Sequence, residues 1–419
     1  MAIMYQSIRY FIATILLLTT FTAGAKSTSL PIEQVNRFTY FLEQIRTAYV
    51  EPVDDGELIE FAIQGMLDGL DPHSEYLDSN EIQDLRETTE GNYGGVGIEL
   101  AMNDGKLTII SALDNTPASA AGLTSGDIIT AINGTSFRGM RFAQALKLLR
   151  GEIGTALTLD IYRESTDKSF SVSLIRDEIV IQSVRYEQLS DSIGYIQIRQ
   201  FQSDTTQDVM DALDALLLND LTGLVLDLRD NPGGTLSSAI GVSDLFLSDN
   251  TIVSTRGRLE AMNQEIKATP NEYFANKPIV VLINGGSASA SEIVAGALQD
   301  TKRAIVMGVK SFGKGSVQSI LEHDNVAIKL TTARYYTPSG HSIQGLGITP
   351  DIEVAVTQIS GSQAKQLFSE RSLYGALKGE DKAPDKHSTP PSSLAESDYQ
   401  LYEAVNLLVA LNLYAKLNQ

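Results

Sequence analysis

The sequence has no cysteine and no tryptophan, only four histidines, and far fewer basic than acidic residues. Without cysteine the chain has no disulfide, no thiol nucleophile and no thiolate metal site. Lys and Arg total 32 against 52 Asp and Glu, and the net charge of −20 argues against a nucleic-acid partner because it repels phosphates. The His, Asp and Glu residues form no cluster at metal-ligand spacing, so neither a metal nor another cofactor is expected.

Apolar runs long enough to span a membrane are also absent, and the first 25 residues instead resemble an export signal. Arg9 supplies a positive charge, YFIATILLLTTF is an apolar core of about a dozen residues, and Ala23-Gly24-Ala25 fits an A-x-A cleavage site. A membrane span needs roughly 20 apolar residues. We therefore predict a signal peptide at residues 1–25 and a periplasmic protein that is soluble or peripherally membrane-associated. An uncleaved anchor stays open, but no cysteine follows the core to carry a lipid.

The apolar pattern changes several times along the rest of the chain. Spacing of three and four residues comes first, short strands follow, and strands then alternate with helices, which predicts a largely parallel sheet of an α/β fold. A Lys-, Pro- and Ser-rich stretch then precedes an amphipathic helix. The predicted segments are a helical region at 26–89, a compact strand-rich domain at 90–176, an α/β core at 177–358, a polar linker at 359–397 and a C-terminal helix at 398–419 that docks on an apolar surface.

The stretch NGGSASASEIVAGALQD, residues 284–300, places three serines at alternate positions between a glycine turn and an apolar helix. Ser289 and Glu292 fit the S-x-x-E capping box that begins many helices. The preceding KPIVVLI predicts a buried strand, and a strand-to-helix turn is also where α/β enzymes often place a nucleophile. The local pattern therefore allows either a helix cap or a nucleophile.

A serine nucleophile needs a base, and two residues of the core are candidates. His341 in YTPSGHSIQG is the one histidine in a suitable position, and a Ser–His pair stays open. Lys314 in SFGKGSVQ lies between two glycines after a predicted strand, and burial could lower its pKa enough to make the amine a base. The turn DLRDNPGG, residues 227–234, could supply oxyanion N–H groups. All three motifs follow predicted strands of one parallel sheet, whose carboxyl ends gather functional sites.

Six motifs in order resemble the carboxyl-terminal processing peptidases, also called tail-specific proteases. These motifs, between about residues 54 and 351, are DGLDPHSEYL, GGVGIEL, LDLRDNPGG, NGGSASASEIVAGALQD, SFGKGSVQ and YTPSGHSIQGLGITPDI. The resemblance implies a serine endopeptidase with a Ser–Lys dyad. It also implies a crotonase-like (ClpP/crotonase-type) α/β core with an inserted PDZ domain.

The resemblance assigns roles to individual residues of the core. Ser289 becomes the nucleophile and Lys314 its base, while Ser291 keeps a structural role. The remaining implied site residues are Gln318, which orients the lysine amine, Glu292 as catalytic support, and the backbone of Gly233 or Gly234 together with Ala290 as the oxyanion hole.

The strand-rich insert resembles a PDZ domain, a module that binds C-terminal peptides by adding them to a sheet edge. The implied carboxylate loop and its neighbouring strand comprise Gly95, Val96, Gly97, Ile98 and Leu100. The implied partners are proteins or peptides with free apolar C-termini. An adaptor protein and a homo-oligomer are left open.

Two other functions compete with this interpretation. A catalytically silent PDZ scaffold would bind exported chains without cutting them, but it would not need a serine–lysine pair. A crotonase-like acyl-CoA enzyme would fit the sheet, but neither the signal peptide nor the PDZ insert. The PDZ domain itself could also serve only to pack against the core.

Overall fold

A computed structural model of the chain describes residues 31–357 and 392–417, apart from 104, 138, 139, 141 and 191. The predicted signal peptide and most of the predicted linker lie outside the described residues. The chain divides into two compact units, Met1–Leu70 and Asp71–Gln419. Within the described ranges, no helix is long and apolar enough to cross a membrane.

The first unit contains the helices α1 (Ile32–Ala48) and α2 (Asp55–Asp68). The apolar stripe predicted for α1 is present but exposed, as at Phe38 and Phe41. Helix α2 begins after Asp54, whose carboxylate accepts hydrogen bonds from two N–H groups of the first turn. This region is helical, as its spacing predicts.

The second unit begins with a short strand and a helix and continues into the strand-rich domain. Its sheet is antiparallel in the order β3-β4-β5-β7-β8, with β6 on β5, and β2 pairs with β9 where the chain enters and leaves. The elements are β1 (Glu75–Leu77), α3 (Ser79–Glu90), β2 (Asn92–Gly95), β3 (Ile98–Asn103), β4 (Lys106–Ala112), α4 (Pro117–Ala120), β5 (Asp127–Ile132), β6 (Thr135–Ser136), α5 (Phe142–Leu149), β7 (Ala156–Arg163), β8 (Lys168–Ile175) and β9 (Asp177–Val180).

The core of the second unit is a six-stranded sheet in the order β10-β11-β12-β15-β16-β19. All neighbouring strands are parallel except β10, which is antiparallel to β11. The prediction of a largely parallel sheet is therefore confirmed. The elements are β10 (Val184–Ser190), β11 (Ile193–Ile198), α6 (Thr205–Leu217), β12 (Gly223–Asp227), α7 (Leu236–Asp244), β13 (Thr251–Gly257), β14 (Gln264–Lys267), β15 (Ile279–Ile283), α8 (Ala290–Asp300), β16 (Ile305–Gly308), β17 (Ser316–His323), β18 (Val326–Tyr336), β19 (Ile352–Glu353), α9 (Ser392–Ser397) and α10 (Tyr399–Leu417).

Helices cover both faces of this sheet, which explains why its central strands are buried throughout. Side chains of α6, α7 and α8 pack in one apolar cluster with β11, β12 and β15. On the opposite face, Leu401, Ala404, Val405 and Leu408 of α10 pack against the same strands in a second cluster. Their spacing of three and four residues forms one stripe along the helix. The C-terminal helix therefore docks on an apolar surface, as predicted.

A second, antiparallel sheet was not predicted from the sequence. Its order is β1-β18-β13-β14, and β17 also pairs with β18. Strand β1 pairs with β18, although the two strands are far apart in the sequence. Glu75 lies opposite Lys329, and the two side chains form an ion pair. This sheet adjoins the helix layer through residues such as Val253 and Tyr335.

Candidate active site

Three neighbouring strands, β12, β15 and β16, each end in one of the motifs singled out from the sequence. Strand β12 leads into the turn Asp227–Gly234, β15 into the serine stretch, and β16 into SFGKG. Because the three strands are parallel, their carboxyl ends meet at one edge of the sheet. The structure thus brings the three motifs together as predicted.

The middle serine differs from its two neighbours in conformation and contacts. Ser289 immediately precedes α8 with φ of 54° and ψ of −110°, a strained backbone for a residue with a side chain. The hydroxyl of Ser287 donates to the carbonyl of Leu228 at 2.7 Å, and that of Ser291 donates to the carbonyl of Asn231 at 2.9 Å. The outer serines therefore fasten the turn to the neighbouring motif, and Ser289 is left at the strained position.

The Ser289 hydroxyl lies next to a buried tyrosine of the second sheet. Burial raises the pKa of Tyr335 to about 12, and a hydrogen bond to the Ser289 side chain opposes part of that rise. The backbone N–H of Tyr335 donates to the carbonyl of Gly315 at 2.8 Å. Throughout the described ranges, no hydrogen bond joins the Ser289 hydroxyl to the Lys314 amine. In this conformation the Ser289 hydroxyl thus lies near Tyr335 and is not bonded to the lysine amine.

One fully buried carboxylate links the backbone of both residues. Glu292 Oε2 accepts from the N–H groups of Ser289 and Lys314, each at 2.8 Å. Its Oε1 accepts from the N–H of Gly313 at 2.7 Å and from the hydroxyl of Ser311 at 2.6 Å. Burial raises the pKa of Glu292, and these hydrogen bonds oppose part of that rise. The first contact is the capping interaction predicted from S-x-x-E, and the others extend the same carboxylate to the SFGKG loop.

Lys314 is half-buried, and its surroundings favour the neutral amine. Burial lowers its pKa below the ordinary value, and Lys329 lowers it further, whereas Glu75 and Asp71 raise it. The same neighbourhood lowers the pKa of His73, chiefly through burial and the positive charge of Lys314. A lysine held in this way can accept a proton at a lower pH than a solvated one.

The glycine turn packs directly against Ser289. Gly233 has φ of 104°, and a Cβ there would lie 2.9 Å from Ser289 Cβ and 3.1 Å from Ala290 N, so only glycine fits. Its N–H donates to Asn231 Oδ1 at 2.9 Å. The N–H groups of Gly234 and Ala290 have no hydrogen-bond partner within the described residues. One free N–H group, of Gly234 or of Ala290, therefore follows each of the two residues in contact, Gly233 and Ser289.

In the strand-rich domain, β3 is the edge strand of its sheet and the loop before it is tightly shaped. Val96 is buried, and its carbonyl accepts from the N–H of Ala118 at 2.9 Å. Gly97 has φ of 74°, and a Cβ there would collide with Thr116 at 2.3 Å. The N–H groups of Val96 and Gly97 donate to no described residue. An open strand edge thus begins at a loop with free donors.

Apolar side chains lie along that edge strand. Ile98 and Leu100 are partly buried and pack against the same apolar cluster that contains Ala145 and Leu149 of α5. An extended segment added to β3 would therefore have apolar side chains beside it.

Comparisons with known proteins agree with this architecture. The family model of peptidase family S41 matches residues 192–354, a PDZ domain model matches 94–174, and a model of the activating protease CtpB N-terminal domain matches 5–81. The carboxy-terminal-processing protease of Bartonella bacilliformis is 43% identical over 419 residues, covering 97% of this chain and 96% of the relative. The chain belongs to the carboxy-terminal processing proteases of peptidase family S41.

Other members of this family of serine endopeptidases are also similar to the chain. The carboxy-terminal processing protease CtpA of Bacillus subtilis is 35% identical over 334 residues, covering 79% of this chain and 71% of the relative. The solved structure of a photosystem II D1 C-terminal processing protease is 29% identical with a TM-score of 0.47, covering 77% of this chain and 88% of that chain.

Two candidate side chains of the protease hydrogen-bond to neither Ser289 nor the Lys314 amine. The amide nitrogen of Gln318 donates to Ser316 Oγ at 3.0 Å and to Thr331 Oγ1 at 3.2 Å, and among the described residues no hydrogen bond joins its side chain to Lys314. The imidazole of His341 hydrogen-bonds to Ser339 at 2.8 Å and not to Ser289. No group of three or more potential metal ligands occurs in the part of the chain that the structure describes.

Sequence reasoning missed two contributors to this site. Tyr335 gave no signal because nothing in the strand ARYY marks which tyrosine points toward a serine 46 positions earlier. Arg229, whose guanidinium bonds to Asp227 and Asp398, could have been found, since a charged residue two positions after a buried strand and just before the Pro-Gly-Gly turn needs a partner.

Proposed function

We propose that the protein is an exported endopeptidase with a crotonase-like core that cuts protein chains with a Ser289–Lys314 dyad and selects them by their C-terminal tails. In this proposal residues 1–25 are the signal peptide, 90–176 the PDZ domain, 177–358 the peptidase core and 398–419 a helix of that core. The strained Ser289 and the half-buried Lys314 are the supporting features at the level of single residues.

The observation that carries the proposal is the shared carboxylate of Glu292. It holds the backbone N–H groups of Ser289 and Lys314 on one oxygen, so the nucleophile and the base have a common buried anchor. The Ser289 hydroxyl can leave Tyr335 by rotation about one side-chain bond, and the flexible side chain of Lys314 can move to it. Gln318 then orients the amine once its amide leaves Thr331.

In the reaction, Ser289 Oγ attacks the carbonyl carbon of the scissile bond while its proton passes to the neutral Lys314 amine. The carbonyl oxygen becomes an oxyanion bound by two backbone N–H groups. When the intermediate collapses, the C–N bond breaks and Lys314 gives the proton to the leaving amine. Water then attacks the acyl-enzyme, with Lys314 again as base, and releases Ser289.

Gly234 and Ala290 are the oxyanion donors that the contacts favour. The N–H of Gly233 is already bonded to Asn231, and the Gly233 carbonyl accepts from the N–H of Phe201 at 2.9 Å. In a planar trans peptide the next N–H points opposite to that carbonyl. The Gly234 N–H therefore points away from Phe201, and it has no competing acceptor among the described residues.

The PDZ domain supplies selection. The free N–H groups of Val96 and Gly97, with that of Ile98 at the start of the edge strand, bind the terminal carboxylate of a substrate. The tail then extends β3, and Ile98 and Leu100 contact its last apolar side chain.

A scaffold that binds without cutting is the alternative, and one experiment separates the two. Purified protein is incubated with an unfolded protein such as reduced casein, and the Ser289→Ala variant is tested beside it. We expect cleavage only by the natural sequence. Binding without cleavage by both proteins would favour the scaffold.

A further inference from the structure

A largely buried charged residue, Arg229, belongs to the turn at residues 227–234, here called the oxyanion turn because it carries Gly234. The guanidinium of Arg229 bonds to both oxygens of Asp227, at 2.9 Å through Nε and at 2.6 Å through Nη2. Its other side faces the C-terminal segment, where Nη1 and Nη2 bond to the two oxygens of Asp398 at 2.9 and 2.7 Å. Nη1 also donates to Gln400 Oε1 at 3.1 Å. Arg229 is thus held between two carboxylates that are far apart in sequence.

The cluster of Asp227, Arg229 and Asp398 is largely shielded from water, so loss of any one hydrogen bond would leave a buried polar group without a partner. The Asp227 side chain is 0% exposed, that of Arg229 14% and that of Asp398 29%. Burial opposes the charge of Arg229, yet hydrogen bonds to Asp398 and Asp227 raise its pKa above the ordinary value. Tyr195 completes the cluster by donating its hydroxyl to Asp227 at 2.9 Å. A bidentate arginine–carboxylate pair fixes orientation as well as charge.

Helix α10 has a fixed register against the sheet. Near its start, Asp398 and Gln400 contact Arg229 beside the carboxyl end of β12, and farther along, Asn412 donates to Thr222 at 2.8 Å just before that strand begins. The helix therefore runs antiparallel to β12 across the whole strand. The first turn of α10 therefore lies at the same edge of the sheet as the three motifs of the candidate site.

The other side of the oxyanion turn is fastened to the serine stretch. The carbonyl of Asn231 accepts from the N–H of Ala288 at 3.0 Å and from the Ser291 hydroxyl. The N–H of Asp230 donates to Asn284 Oδ1 at 2.9 Å. The turn is therefore held by the serine stretch, by Ile198 and Phe201 after β11, and, through Arg229, by Asp398.

We propose that Asp398 is a positioning residue for the oxyanion turn: it holds Arg229 from the C-terminal segment and so sets where the Gly234 N–H points. The proposal rests on the proposed function of this site. In this proposal the C-terminal segment that begins at Asp398 both packs against the sheet and positions a part of the active site.

The Asp398→Asn variant separates this contact from the structural role of the same residue. Asp398 Oδ1 also accepts from the N–H of Leu401 at 3.0 Å as a helix cap, and asparagine caps equally well. The substitution removes the charge and the bidentate bond. Glu396→Gln is the matched control, because it removes an exposed carboxylate two residues earlier.

Two readouts report on the oxyanion turn. One is kcat and KM for a peptide with a free apolar C-terminus, and the other is the inhibition constant of a peptide aldehyde that forms a tetrahedral adduct with serine. We expect Asp398→Asn to lower kcat by about tenfold and to weaken the aldehyde by a similar factor, with KM within about twofold. The pH at which kcat/KM reaches half its maximum should not move, because Lys314 is not affected.

The alternative outcomes decide the matter. A lower melting temperature with kcat and the aldehyde constant equal to those of Glu396→Gln would overturn the proposal and leave Asp398 a structural residue. If Asp398→Asn does not fold, Arg229→Lys, which keeps the charge but loses the bidentate geometry, is judged by the same two readouts. If the natural sequence itself does not cleave in a Ser289-dependent way, the proposed function fails instead.

Discussion

At the scale of single residues, the buried carboxylate of Glu292 makes more hydrogen bonds than the single capping contact predicted from the sequence. The S-x-x-E pattern predicted its bond to the N–H of Ser289, because capping depends only on local spacing. Its bonds to Gly313 and Lys314 span 21 and 22 residues. Such contacts depend on how β15 and β16 pair, which no local pattern reveals.

Glu292→Gln should therefore damage catalysis more than its small change in shape suggests. A carboxylate accepts on both oxygens, whereas an amide has one acceptor and would direct an N–H group at donors of the same kind. We expect kcat/KM to fall by about 100-fold, because the backbone N–H groups of Ser289 and Lys314 both lose their acceptor. Ser311→Ala, which removes one of the four donors, should cost only a few-fold. Equal, small effects of the two variants would contradict the shared-anchor role.

The charges around Lys314 predict opposite shifts of the pH profile in two variants. In the proposed mechanism the free amine is the base, so kcat/KM should fall as the pH drops through the pKa of Lys314. Lys329 lowers that pKa and Glu75 raises it. Lys329→Met should therefore move the acidic limb of the profile to higher pH, and Glu75→Gln should move it to lower pH.

The two variants control for each other, because Lys329 and Glu75 are partners in one ion pair and either substitution breaks it. Steady-state rates between about pH 5 and 10 are the measurement. Shifts in the same direction, or none, would show that a group other than Lys314 controls the acidic limb.

At the scale of elements, alternation and periodicity predicted the parallel sheet and its helices because each of those elements has its own apolar pattern. The antiparallel sheet escaped prediction for the opposite reason. Strand β1 has three residues, and its partner Lys329 lies 254 positions from Glu75. A strand so short has no periodicity to read, and its pairing is a tertiary contact. The contacts of Gln318 were missed for a similar reason, since a bulge between Val317 and Gln318 changes which way the Gln318 side chain points.

The open edge of β3 predicts that the enzyme reads the free end of its substrates. A peptide ending in Ala or Val should be cleaved faster than the same peptide ending in Asp, because a charged side chain would lose its water beside apolar side chains without gaining a partner. Amidation of the C-terminus should slow cleavage by removing the carboxylate that the Val96 and Gly97 N–H groups are proposed to bind. The measurement is kcat/KM well below saturation. Equal rates for free and amidated peptides would show that the β3 edge does not select tails.

At the scale of the whole molecule, segments far apart in sequence complete the protease. Strand β1, near the start of the second unit, pairs with the sheet beside Lys314, and helix α10, near the end of the chain, covers the parallel sheet. The composition predicted only a globular protein, the first 25 residues predicted export, and the resemblance carried by the six motifs implied the enzyme and its site residues. The C-terminal helix was predicted to dock, but its contact with the oxyanion turn depends on the register of α10 along β12.

The measurement that tests the dyad most directly compares four variants on one unfolded substrate. Ser289→Ala and Lys314→Ala each remove a proposed catalytic group, whereas Ser291→Ala and Lys310→Ala remove a neighbouring serine and an exposed lysine. We predict that the first two lose cleavage by at least about 1,000-fold, because each removes a member of one catalytic unit. The two neighbours should stay within about tenfold, with all four proteins folded and EDTA without effect. Full activity of Lys314→Ala, or an active Ser289→Ala beside an inactive Ser291→Ala, would contradict the account.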